Sequence, residues 1–116
     1  MNKLDVFKHI LFDSSVLVNF DGRRKGVRVP PVLKSEPNAV LAFDFGGEDD
    51  LEFDVLGISA TLRFNGEDFW CLVPWSAVFA VRREGDGLGK MWPESVPREV
   101  WEPKPERRLR LVHSRA

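Results

Sequence analysis

The sequence is poor in reactive side chains. Its 116 residues hold one cysteine and two histidines, His9 and His113, one near each end. A single cysteine excludes an internal disulfide framework and a cysteine-rich zinc site. Pairing Cys71 with His113 would join a thiol on an apolar strand run to a base in a charged tail, a poor arrangement for nucleophilic catalysis. No stretch approaches the ~20 apolar residues of a membrane span. The start, Met1-Asn2-Lys3-Leu4-Asp5, lacks the long apolar run of a signal peptide. Net charge is only −1, which argues against a globally basic nucleic-acid binder. The length fits one domain, since domains hold roughly 100–200 residues. These absences lead to the expectation of a single soluble, cytoplasmic domain that is not an enzyme and has no cofactor or metal.

What is present is unevenly distributed. Residues 1–97 carry 11 Lys/Arg against 15 Asp/Glu, whereas residues 98–116 carry 6 against 3. A mildly acidic body is therefore followed by a basic tail. Residues 3–12 place apolar side chains at a helical period, with Asp5 near the positive end of the helix dipole. The chain then reads as strands and turns. Expected strands are 15–20, 27–29, 39–45, 51–55, 58–64, 69–73, 75–82 and 90–92. Ala39, Leu41, Phe43 and Phe45 share one face, as do Ile58, Ala60, Leu62 and Phe64. Asn65-Gly66 is a strong hairpin signal, and Pro30 and Pro74 end strands because proline cannot donate to a ladder. The fold class expected is mainly β (α+β). A short N-terminal helix precedes an antiparallel meander, curled into an open SH3/Sm-like barrel or a two-sheet roll that hides its edges. A flexible C-terminal tail follows. The domain reading is a body over 1–95, a proline- and charge-rich linker without periodicity over 96–108, and a tail over 109–116.

Several local patterns invite a chemical reading. Asp44, Glu48, Asp49, Asp50, Glu52 and Asp54 cluster, and no Lys or Arg occurs from 35 to 62. The spacing does not match an EF-hand, so a solvated acidic loop is expected. Gly85-Asp86-Gly87-Leu88-Gly89 resembles a phosphate loop but opens no helix, and its glycines suit a tight turn. Arg23, Arg24, Lys25 and Arg28 could touch nucleic acid on a small Sm- or SH3-like barrel, although no aromatic platform interleaves with them in sequence. Of Trp70, Trp75, Trp92 and Trp101, most are expected in the core, with Trp101 apart in the proline-rich segment. The tail residues Leu109-Arg110-Leu111-Val112-His113 alternate apolar and basic side chains, the pattern of a linear motif that docks as an added strand.

Five runs together resemble a known family, the SspB adaptors of the ClpXP protease, also called the specificity-enhancing factor. They are Gly26-Val27-Arg28-Val29-Pro30, the run Ala39-Val40-Leu41-Ala42-Phe43-Asp44-Phe45, the run from Ile58 to Gly66, Val73-Pro74-Trp75-Ser76-Ala77-Val78, and Gly89-Lys90-Met91-Trp92. Leu109-Arg110-Leu111-Val112-His113 is similar to the family's ClpX-docking segment, with His where Lys is usual. The resemblance implies a proteolytic adaptor whose body binds the ssrA degradation tag and whose tail docks on the zinc-binding domain of ClpX. Two weak contacts joined by a linker would raise the local concentration of tagged polypeptide at the unfoldase. The 11 residues 98–108 span at most roughly 40 Å. By the same resemblance Phe43, Phe45, Ala60 and Leu62 would line the tag groove. Leu109, Arg110, Leu111, Val112 and His113 would dock on ClpX, and Leu4, Phe7, Ile10 and Leu11 would form a homodimer interface. No membrane partner is expected, nucleic acid is disfavoured with ribosome association left open, and a small nucleic-acid-binding barrel using Arg23, Arg24, Lys25 and Arg28 is the alternative.

Overall fold

A computed structural model describes residues 2–11, 15–44 and 50–101. Phe45, Glu48, Asp49 and the docking residues Leu109, Arg110, Leu111, Val112 and His113 lie outside the described residues. Helix α1 (Lys3–Leu11) is followed by β1 (Ser15–Phe20), a helical turn α2 (Pro31–Lys34), β2 (Ala39–Asp44), β3 (Glu52–Phe53), β4 (Gly57–Phe64), β5 (Glu67–Pro74), β6 (Val78–Arg83), β7 (Gly89–Met91) and α3 (Arg98–Trp101). The strands form two antiparallel sheets, a four-stranded β2-β1-β6-β7 and a three-stranded β3-β4-β5. The mainly β expectation holds in its two-sheet form, and the sheets are not closed into a barrel. Among the described residues no helix is long and apolar enough to cross a membrane.

The alternation in the sequence sets which face each strand buries. Val16, Val18 and Phe20 of β1, Leu41 and Phe43 of β2, Val81 of β6, Ile58 and Ala60 of β4, and Cys71 and Val73 of β5 enter one core shared by both sheets. Asn65 and Gly66 both take positive φ, 51° and 83°, the twist that a two-residue hairpin turn requires. The order departs from a simple meander, because β6 returns to pair with β1 on the edge away from β2. The run 75–82 starts as a 3-10 turn over Trp75–Ala77 before entering β6. Residues 27–29 make a single bridge, Arg28 to Leu72, rather than a ladder, because Pro30 and Pro31 turn the chain into α2. Residues 98–101, taken as linker, form a helical turn.

The apolar stripe of α1, expected at a homodimer interface, has an intramolecular partner. Phe7, Ile10 and Leu11 are buried against their own chain and Leu4 is partly buried on the same core. The Phe7 ring stacks edge-on at 6.2 Å from Phe43, 5.3 Å from Phe53 and 5.7 Å from Trp75. A side chain in contact with three rings of its own fold has no face left for a second copy.

The β3–β4 turn is held rigidly. Asp54 Oδ1 accepts from the Leu56 and Gly57 amides at 2.8 and 3.2 Å, and the Trp75 indole donates to the Asp54 carbonyl at 2.7 Å. Glycine is required at the end of this turn, since a methyl on Gly57 would run into the Val73 carbonyl and lie 2.8 Å from Pro74 Cα. Gly57→Ala should destabilise the fold by about 1–3 kcal/mol. Urea unfolding measures this, and wild-type stability would show that the strands can part there at no cost.

Candidate peptide-binding groove

The inner face of the β4–β5 hairpin runs out of the core toward its turn. Cross-strand pairs share a face in an antiparallel ladder. Ile58–Val73 and Ala60–Cys71 are buried pairs, whereas Leu62 is half-buried and its partner Phe69 is 37% exposed. Leu62 and Phe64 pack on the rim of the core together with Leu33 and Leu51, and Phe64 meets Phe69 edge-on at 6.5 Å. On the outer face Trp70 is 46% exposed. This aromatic end borders a depression of about 490 Å³ walled by Val27, Arg28 and Val29 on one side, Phe69 and Trp70 on the other, with Lys34 and Asp68 at its ends.

The depression exists because a strand partner stops short. Arg28 and Leu72 exchange both main-chain hydrogen bonds, at 2.8 and 2.9 Å, so the polar groups of Leu72 point away from β4. The β4–β5 register is continuous, and this orientation recurs every second residue, at Trp70 and Asp68. The opposite strand agrees: the Thr61 amide, across from Trp70, points the other way and donates to Asp50 at 2.9 Å. Continuing the Arg28–Leu72 pairing would set residue 30 against Trp70, but that residue is Pro30 and the chain leaves into α2. Among the described residues nothing pairs with the outward main chain of Trp70 or Asp68. An open sheet edge beside apolar side chains is the arrangement that accepts an extended peptide as an added strand.

The wall at 27–29 is fixed from behind. Lys34 Nζ donates to the Val27 carbonyl at 2.9 Å. The preceding loop is anchored by buried Asp21, whose amide donates to the Ala77 carbonyl at 2.9 Å. The Asp21 carboxylate accepts from Arg23 Nε at 2.9 Å, Nη2 at 3.1 Å and the Arg23 amide at 3.0 Å. Arg23 also donates to Glu99 of α3 at 2.6 Å, and Arg24 lies 3.8 Å from Asp21. The basic cluster is thus partly committed to carboxylates within the fold.

The expected site residues divide. Leu62 is half-buried at the rim of the core, on β4, and does not line the depression. Phe43 and Ala60 are fully buried in the core and offer no surface to a peptide, because the alternation that marks an inward face does not mark its depth. Leu109–His113 and Phe45 lie outside the described residues. Sequence reasoning missed Phe69, Trp70, Val29 and Lys34. The available signal was two adjacent aromatics on opposite faces of one strand, close to the hairpin turn, which cannot both be core. Cys71 is buried, and burial pushes its thiol pKa up to about 11, so it is protonated and occluded. His9 is exposed on α1.

Burial acts to raise the Asp21 pKa, but the hydrogen bonds and charge of Arg23 outweigh it and hold the carboxyl below 3.8. Stabilisation from a depressed carboxyl is complete above its unfolded value and fades as pH falls through the folded one. Asp21→Asn should therefore cost about 1–3 kcal/mol near neutral pH, and progressively less below about pH 4. Urea titrations at both pH values test this, and an undiminished cost in acid would contradict a charged pairing. No family model matches the chain, and no curated protein matches it.

Proposed function

We propose that the chain is a non-enzymatic peptide-binding adaptor of the SspB kind. Its groove takes an ssrA-type tag in extended form, and its basic tail delivers the tagged polypeptide to ClpXP in the cytoplasm. The observation that carries the reading is the unpaired main-chain edge at Asp68 and Trp70, set between Val27–Val29 and the side chains of Phe69 and Trp70. Main-chain bonds to an added strand would supply affinity, and alternate side chains of the peptide would meet Phe69 and Trp70. The resemblance carried by Gly26-Val27-Arg28-Val29-Pro30 falls on the same wall.

A second reading shares the groove. Trp70 stands beside Arg28 and Lys34, an exposed ring with cations, which is how single-stranded nucleic acid is held without sequence preference. Binding of that kind weakens steeply with salt, because phosphate contacts release counterions.

Fluorescence anisotropy with a labelled ssrA-type peptide separates the two. The full chain should bind the peptide with a dissociation constant of about 10 µM or tighter. Trp70→Ala should weaken binding at least about tenfold while changing stability by less than about 1 kcal/mol, because the ring is half exposed. No binding at ~100 µM peptide would sink the adaptor reading. Tight, salt-sensitive binding of a labelled single-stranded oligonucleotide in its place would favour the second. Removing the residues after Arg108 should abolish stimulation of ClpXP and leave peptide affinity intact.

A further inference from the structure

A second depression, of about 310 Å³, shares no residue with the groove. It lies where the β3–β4 turn meets the start of α1, and Lys3, Leu4, Val55, Trp75 and Trp92 form its walls. Asn2 also lines it, with its Oδ1 accepting from the Asp5 amide at 2.8 Å, and apart from Asn2 and Lys3 the lining is apolar. Lys3 Nζ donates to the Trp75 carbonyl at 2.9 Å and to Ser95 Oγ at 3.1 Å, and it stands 5.8 Å from the centre of the Trp92 ring. Lys90 Nζ lies 5.6 Å from the same ring. An ammonium has three protons, so Lys3 keeps one N–H beyond its two protein partners. The charges around it are Glu94, which opposes, and Arg24, which adds; burial is the main influence on the amine and lowers its pKa. Val55, at the mouth, is 80% exposed.

A partly desolvated cation lined by indole and aliphatic groups selects a ligand that brings one negative charge and little else that needs water. A phosphate dianion would need more donors than the one remaining N–H of Lys3 supplies. We propose that this pocket binds an aliphatic monocarboxylate, with the carboxylate on Lys3 and the alkyl group between Leu4, Val55 and Trp75. The volume is at the lower end of the roughly 300–1,000 Å³ of ligand pockets, which suits one small acid or one terminal residue of a peptide.

The test is an NMR titration of the full-length, 15N-labelled chain, read at the indole N–H signals of Trp75 and Trp92. The probes are 4-methylpentanoate, N-acetyl-leucine and the neutral N-acetyl-leucinamide. Saturable shifts with a dissociation constant of about 5 mM or tighter are expected for at least one acid, and binding at least about tenfold weaker for the amide. Preference for N-acetyl-leucine would identify a peptide terminus as the source, and equal or better binding of 4-methylpentanoate a free acid. Lys3 also ties down α1, so the blocking variant is Val55→Asp, at an exposed position, which should weaken acid binding about tenfold by like-charge repulsion. Equal binding of acid and amide, an undiminished affinity in Val55→Asp, or no saturation by ~20 mM would each overturn the proposal.

Discussion

Phe7 is the side chain on which the two sheets depend. It projects from a nine-residue helix that could not persist alone in water. Its ring reaches Phe43 of one sheet, Phe53 of the other and Trp75 between them. Edge-on aromatic pairs contribute about 0.5–1.5 kcal/mol each beyond the area they bury. The helix is therefore made stable by the sheets, and the sheets are held together by the helix. This mutual dependence explains why most of the α1 stripe is an internal surface.

Closing the sheets at one place leaves them open at another. Beyond the Ala60–Cys71 pair the burial of the hairpin's inner face falls off, and Leu62, Phe64 and Phe69 are left at the rim. An exposed edge is a hazard for a β protein, since it can recruit foreign strands. Here most of the hazard is managed. The Arg28 bridge occupies the edge at Leu72, and Glu67 and Asp68 place charges near the turn. What stays open is short, two outward-facing residues wide, and lies between fixed walls. A gap of that size admits one extended segment and discourages sheet-to-sheet stacking.

Some of this was legible in the sequence. The Asn65-Gly66 turn and the alternation of Ala39, Leu41 and Phe43 gave local signals, because turn chemistry and a period of two are properties of neighbouring residues. The return of β6 to β1 was not, since it joins Val18 to Val81 across most of the chain and no short window encodes that pairing. The same limit governed the site. Phe43 and Leu62 look alike as inward residues, yet one is fully buried and the other lies at the rim, because depth depends on which element covers the strand. Trp70 and Trp75 are five positions apart and equally apolar; one is half exposed and the other packs on Phe7. Where Val27–Val29 ends was written in Pro30, but that its ending opens a groove required knowing that Leu72 lay opposite.

The acidic run reads differently once its hydrogen bonds are known. Asp50 accepts from the Thr61 hydroxyl and amide, which depress its pKa, and Asp44 accepts from Ser15 at 2.8 Å. Asp54 caps the turn that presents Val55 and Leu56, 80% and 75% exposed. At least three of these carboxylates therefore serve as local acceptors that shape the strand ends, which is why a cluster without cation-binding spacing can still be concentrated there. Their placement also separates two surfaces along one hairpin. At the Trp70 end the recognition element is bare main chain, indifferent to charge and suited to an extended peptide. At the Gly57–Pro74 end it is the Lys3 ammonium beside indole, the place proposed for an anion. The hairpin is a rigid spacer between them, since its register is unbroken from Gly57 to Phe64.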